Sequence, residues 1–264
     1  MNALPAATRR EQILERIRRD GGVTIAELAR IHAISNMTAH RDLEQLAREG
    51  LVERVRGGAR ALPREATHPT AWEHRIGQAA GAKAAIAARA AAMVASGSTI
   101  FLDASSTALA LAARLMDEPP FELTLVTNSP MIAAELRADA IHVVVCPGEL
   151  DQHTRTITGR WTVEFIRRLN FDIAFVSAAG MTLDAGLTTS RSPIADVLRA
   201  ARDSARSTIG LVDATKVGRA SLVSIARAQE LDLVVSDAAL GDAEAAAFRA
   251  AGVRLEVAPA PAGG

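Results

Sequence analysis

The chain of 264 residues is 49% hydrophobic, 23% charged and 3% aromatic, enough apolar material for one small and one larger core. Its 30 basic and 30 acidic residues cancel, yet residues 1–62 carry +3 and the remainder −3, the asymmetry of a basic head that meets phosphates on an acidic body that does not. A lone cysteine, Cys146, excludes an internal disulfide framework; no apolar leader opens the chain, and the longest apolar stretch, 79–95, is broken by Lys83 and Arg89, so a cytoplasmic protein without a membrane span is expected.

Residues 8–19 set Ile13, Leu14 and Ile17 among charges, which predicts an amphipathic helix stopped by Gly21 and Gly22. Thr24 can cap a short second helix over 25–32, with Ile25, Leu28 and Ala29 inward. Ser35 can cap a third, running to about Glu49 and ended by Gly50. The third helix places Ala39, Leu43 and Leu46 at i, i+4 and i+7. Residues 51–55 read as a strand, Gly57 and Gly58 as a tight turn, and 59–62 as the return. Three helices and a hairpin predict a winged helix-turn-helix over 1–62. A packing or dimerisation module is the bland alternative, and the polar side of the third helix argues against it.

That side presents Asn36, Met37, His40, Arg41 and Glu44. Asn36, His40 and Arg41 lie in the first two turns, the part of a recognition helix that meets base edges in a major groove. Ser35 and Thr38 sit where helix N–H groups already favour a phosphate. Arg54, Arg56 and Arg60 on the hairpin can follow the backbone or enter a minor groove. The expected DNA contacts are Ser35, Asn36, Thr38, His40, Arg41, Arg56 and Arg60. Met37 is expected to pack, and Asp42 to be a solvated charge or an ion-pair partner.

The stretch Ile34 to Leu43, followed by Gly50-Leu51-Val52 and Arg56-Gly57-Gly58-Ala59, resembles the helix-turn-helix of the DeoR family. That family usually reads Thr-Ile-Arg-Arg-Asp-Leu and then His-Gly-Gly-Ala, so Ala39, His40 and Arg56 depart from it. His40 in place of an arginine gives up a bidentate contact to guanine and implies a different operator sequence.

Residues 63–75, with Pro63 and Pro69, read as a linker, 76–258 as a second domain, and 259–264 as a disordered tail. Within the second domain, strand-like runs at 99–103, 123–127, 141–146, 173–178, 208–213, 231–236 and 253–257 alternate with helical patterns at 107–117, 130–138, 162–169, 194–204 and 243–250. That alternation predicts an α/β domain with a mostly parallel sheet covered on both faces. Three predicted strand ends carry small polar groups, where open parallel sheets bind ligands. They are Asp103-Ala104-Ser105-Ser106-Thr107, then Thr127-Asn128-Ser129, and Asp213-Ala214-Thr215-Lys216. Hydroxyls at a helix start suit a phosphate. Lysine occurs only at Lys83 and Lys216, so Lys216 at a strand end suggests a need for a compact point charge.

These segments, with Gly159, Gly180 and Gly186 to Thr189, also resemble the DeoR-type effector domain, which is similar to the ribose-5-phosphate isomerase-like fold. The resemblance implies a phosphorylated sugar or polyol effector held by Asp103, Ser105, Ser106, Thr107, Thr127, Asn128, Gly148, Gly180, Asp213 and Lys216. It also implies a repressor acting on a double-stranded DNA operator of a carbohydrate or polyol operon; the expected assembly is a dimer or tetramer. Ala179 stands where the family often has Asp, and Pro147-Gly148 where a Gly-Gly pair is common. The rival class is a sugar-phosphate isomerase with an accessory module. Such an enzyme needs a general base, and Ala179 occupies the place where the related isomerases keep acids. No metalloprotease, nucleophile-elbow, P-loop or dinucleotide motif is present, and His68, His74, His142 and His153 lack metal-ligand spacing. No catalysis, cofactor or metal is expected.

Overall fold

The computed structural model describes residues 6–48, 51–55, 57–60, 72–120, 122–137 and 139–259, and they fall into two compact units, 1–71 and 72–264. In the first unit α1 (Ala6–Asp20), β1 (Gly22–Thr24), α2 (Ile25–Ile31) and α3 (Asn36–Arg48) precede β2 (Glu53–Val55) and β3 (Gly58–Arg60). The strands form an antiparallel sheet in the order β1-β3-β2. Its core is the set of apolar stripes read from the sequence: Ile13 and Ile17, Leu28, and Ala39, Leu43 and Leu46, joined by Val23, Val52 and Ala59. Strand β1 is an addition to the expected three helices and hairpin. It can come this close to β3 because residue 58 is glycine: a Cβ there would lie 2.2 Å from the Val23 carbonyl oxygen.

The second unit opens with α4 (Trp72–Gly77) and α5 (Ala80–Ala91). Strands β4 (Thr99–Leu102), β5 (Leu123–Thr127) and β6 (Ile141–Val145) alternate with α6 (Ser106–Asp117) and α7 (Pro130–Glu135). A hairpin of β7 (Glu149–Asp151) and β8 (Thr156–Thr158) leads into α8 (Arg160–Ile166) and β9 (Phe171–Ser177). Then come β10 (Gly180–Thr182), β11 (Gly186–Thr189), α9 (Ser192–Asp203), β12 (Ala205–Leu211) and β13 (Val223–Ala226), followed by β14 (Leu233–Asp237), α10 (Asp242–Ala250) and β15 (Leu255–Ala258).

All seven predicted strands lie in one wholly parallel sheet, ordered β15-β14-β12-β9-β4-β5-β6. Both faces are covered, as the unbroken apolar runs require. On β4, Phe101 joins the core beneath α8, α9 and α10, while Ile100 and Leu102 join the one beneath α5, α6 and α7. From β4 the chain winds outward through β5 and β6, then returns to β9 on the other side of β4 and winds away through β12, β14 and β15. The order therefore reverses between β4 and β9, and this switch point at their carboxyl ends, the crevice of an open sheet, is where such folds place ligands. A small antiparallel sheet, β10-β11-β13, and the β7–β8 hairpin were not anticipated.

Candidate functional site

Two sites are built, one in each unit. In the first, the start of α3 is fixed by Ser35, whose Oγ accepts the Thr38 backbone N–H at 3.1 Å and lies 2.9 Å from Thr38 Oγ1. With Ala39, Leu43 and Leu46 buried, Asn36 and Arg41 stand exposed and His40 is half-buried, its Nδ1 3.2 Å from a Glu44 carboxylate oxygen. Met37 is not packed as expected: 63% of it is exposed, because it follows Asn36 on the outward side of the first turn. Asp42 takes the ion-pair alternative and is buried. Arg9 Nε and Nη2 donate to its two oxygens at 2.7 and 3.2 Å, tying α1 to α3. On the wing, Arg60 Nε and Nη2 donate to the two Glu53 oxygens, each at 2.9 Å, across the register that pairs these residues. Arg54 Nη1 donates to the Gly58 carbonyl at 2.8 Å. Arg56 lies outside the described residues.

In the second unit the crevice between β4 and β9 holds a charged cluster. Asp103, 5% exposed, accepts the Ser105 N–H at 3.0 Å and the Ser177 N–H at 2.8 Å, bridging the two strand ends. Burial raises its pKa against those bonds and against the nearby Arg75 guanidinium. After β12, buried Asp213 accepts the Thr215 N–H at 3.1 Å, and Asp237 accepts the Ala214 N–H at 2.7 Å. These bonds shape the single turn Ala214–Lys216, which aims Lys216 Nζ at the Ala178 carbonyl 3.3 Å away. Burial lowers the Lys216 pKa, with Asp213 opposing. Lys83, 5% exposed, is lowered likewise; its Nζ donates to the Arg75 and Gln78 carbonyls. The Arg75 guanidinium, also pushed down by burial, donates from Nη2 to the Thr154 carbonyl at 3.3 Å. Arg75, Lys83 and Lys216 are thus coupled electrostatically to Asp103 and Asp213, with buried Asp237 on the same turn, and such desolvated guanidinium and ammonium groups suit an anion.

Asp103, Ser105, Asp213 and Lys216 are brought together as expected, and Asn128 follows the end of the neighbouring strand β5. Asn128 is 1% exposed: its Nδ2 donates to the Ile157 carbonyl at 3.0 Å, while its Oδ1 has no partner among the described residues. Ser105 Oγ caps α6 by accepting the Ala108 N–H at 2.9 Å, with Ser106 and Thr107 buried behind it. Thr127 is a clasp between strands, its hydroxyl donating to the Leu102 carbonyl and accepting the Ser129 N–H. Gly148 and Gly180 answer to backbone packing. A Cβ on Gly148 would lie 2.1 Å from Thr162 Oγ1, and one on Gly180 2.3 Å from the Arg219 carbonyl oxygen. Arg75 was missed by sequence reasoning, and Lys83 was marked only by the scarcity of lysine.

A winged helix followed by a parallel-sheet domain with a cationic crevice at its switch point defines a ligand-responsive DNA-binding regulator. The DeoR-like helix-turn-helix domain profile matches residues 9–65, and the DeoR C terminal sensor domain profile matches residues 78–238. The chain is 33% identical over 251 residues to the HTH-type transcriptional regulator GolR of Listeria innocua, covering 95% of this chain and 98% of that protein. It is 30% identical over 231 residues to the glycerol-3-phosphate regulon repressor of Escherichia coli, covering 87% and 90%. Among solved structures it is similar to ribose 5-phosphate isomerase A from Methanocaldococcus jannaschii, at 20% identity and a TM-score of 0.37 over 51% of this chain and 53% of that one. The chain belongs to the DeoR family of transcriptional regulators. It is a DNA-binding regulator with a sensor domain, and the isomerase alternative falls on that membership. No helix among the described residues is long and apolar enough to cross a membrane.

Proposed function

We propose that the chain is a repressor of a carbohydrate or polyol operon, released from its operator when a phosphorylated sugar or polyol enters the crevice of the second unit. The observation that carries this reading is the division of α3: its apolar stripe is buried while Asn36 and Arg41 face outward at its start. Arg41 and Asn36 are assigned to base edges, Ser35 and Thr38 to a phosphate, and Arg60 to the DNA backbone once it leaves Glu53. Lys216 and the α6 start take the effector's phosphate, and the open Asn128 Oδ1 accepts a ligand hydroxyl. The working form is a homo-oligomer, a dimer or tetramer, that spans repeated half-sites.

The test uses the full chain on DNA from its own upstream region, followed by fluorescence anisotropy with and without ribose 5-phosphate and glycerol 3-phosphate. Arg41→Ala is expected to weaken operator binding while its unfolding free energy stays within about 0.5 kcal/mol of the parent. Lys216→Ala is expected to bind the operator normally and to ignore the effector. Unchanged operator affinity in Arg41→Ala would remove α3 from the groove, and normal release of Lys216→Ala would remove the crevice from sensing.

A further inference from the structure

Arg75 reaches the crevice from α4, the first element of the second unit, whereas Lys83 comes from α5 and Lys216 from the turn after β12. Helix α4 has six residues, too few to be stable by its own backbone bonds, so its position depends on what it is tied to. Its ties converge on the charged cluster. The guanidinium donates to the Thr154 carbonyl at 3.3 Å and is within electrostatic reach of the Asp103 carboxylate. Buried Lys83 Nζ donates to the Arg75 and Gln78 carbonyls, at and just beyond the end of the helix. The same ammonium is felt by Asp213 and Lys216. A guanidinium presents a planar fork that matches two phosphate oxygens, which an ammonium cannot do. The site therefore offers one fork and two point charges, on three separate elements, beside the buried carboxylates of Asp103 and Asp213.

We propose that Arg75 contacts the phosphate of the effector directly, so that α4 is the element through which the second unit registers occupancy. The assignment rests on the effector crevice described above. An anion seated between Arg75 and Lys216 exchanges a bond to a neutral carbonyl for charge-assisted ones, and it gives the buried cations a partner of opposite charge. Both changes act on α4, which lies directly after residue 71, where the two units divide. An effector without a phosphate or an equivalent anionic group gains nothing from Arg75.

The chain has two tryptophans, Trp72 at the start of α4 and the exposed Trp161 on α8. In full-length protein carrying Trp161→Phe, emission therefore reports on α4 alone. The probes are glycerol 3-phosphate, ribose 5-phosphate and inorganic phosphate, with Kd measured in parallel by calorimetry. At least one ester is expected to bind and to change Trp72 emission saturably. Arg75→Gln is expected to raise its Kd about tenfold or more, and Arg75→Lys, which keeps the charge but not the fork, to fall between. Lys216→Ala is the control for the crevice itself. Parental affinity in Arg75→Gln alongside lost binding in Lys216→Ala overturns the Arg75 assignment and leaves the crevice standing. Parental affinity in both variants overturns the crevice as well, as does the absence of binding by all three probes. Should Arg75→Gln fail to fold, parental affinity in Arg75→Lys decides against the proposal. Binding seen by calorimetry with a silent Trp72 removes α4 from its role.

Discussion

Asp42 shows how one residue can matter to recognition without touching DNA. Its carboxylate and the Arg9 guanidinium are 5% and 10% exposed and joined by two bonds, next to the apolar core of the first unit. Removing one partner of such a pair leaves the other charge desolvated and uncompensated, whereas replacing both with apolar side chains removes the cost along with the gain. Asp42→Ala is accordingly expected to destabilise the first unit by about 3 kcal/mol, the low end for buried pairs because a unit this small leaves water close by. Arg9→Met combined with Asp42→Leu is expected to recover most of that loss. Urea denaturation of the three proteins checks it, and a double variant as unstable as the single one would show that the pair does more than neutralise itself. The sequence could place Asp42 on the third helix but could not say whether it was solvated or paired. Its partner lies 33 positions away, and α1 offers Arg9, Arg10, Arg16, Arg18 and Arg19 as candidates.

Elements were legible where they carry a period or a cap. The apolar stripes of α1 and α3, the Thr24 cap and the Ser35 cap are all present as the sequence implies. The seven parallel strands bury most of their residues, so each shows as an apolar run, although the edge strand β6 leaves His142 and Val145 exposed. Strands β1, β7, β8 and β10 are only three residues long, too short for any alternation to register, and β11 is buried throughout, with glycine and threonine in place of an apolar run. The candidate crevice was legible in the same uneven way. Asp103, Asn128, Asp213 and Lys216 follow strand ends and could be placed by the rule for open sheets, but Arg75 belongs to a polar stretch without a period and reaches the crevice only through the fold. The Ser35 cap yields a prediction that separates its two roles. Ser35→Ala is expected to cost about 1 kcal/mol, because it orphans the Thr38 N–H. Ser35→Asp is expected to keep the cap and the stability, but to lose operator affinity by setting a carboxylate against the DNA phosphates. Chemical denaturation and anisotropy on the same two proteins read both quantities, and undiminished affinity in Ser35→Asp would take Ser35 away from the backbone.

At the scale of the whole molecule, the crevice couples charge to occupancy in a way that pH can expose. Burial lowers the pKa of both Lys216 and Lys83, which means the empty fold disfavours their ammonium forms. As pH rises through the lowered value, the unfolded chain still holds protons that the empty native state has released, so the empty protein gains stability. The liganded protein moves the other way. A phosphate between the cations favours the charged lysines, so binding must take up a proton once they are neutral, and affinity falls. The decline is expected to begin below the ordinary lysine range near pH 10.4. On the acid side the phosphate loses its second charge near pH 6, and affinity falls there too. Calorimetric titrations with a phosphate ester from about pH 6 to pH 10 should therefore trace a maximum, and the ligand-induced rise in Tm should shrink along the alkaline limb as the empty protein becomes more stable. In Arg75→Lys the alkaline limb should start earlier still, since a third group that can lose its proton replaces a guanidinium that does not. An affinity that stays level up to pH 10 would mean that no buried lysine meets the effector, and the charged crevice would then be a device for holding strand ends together.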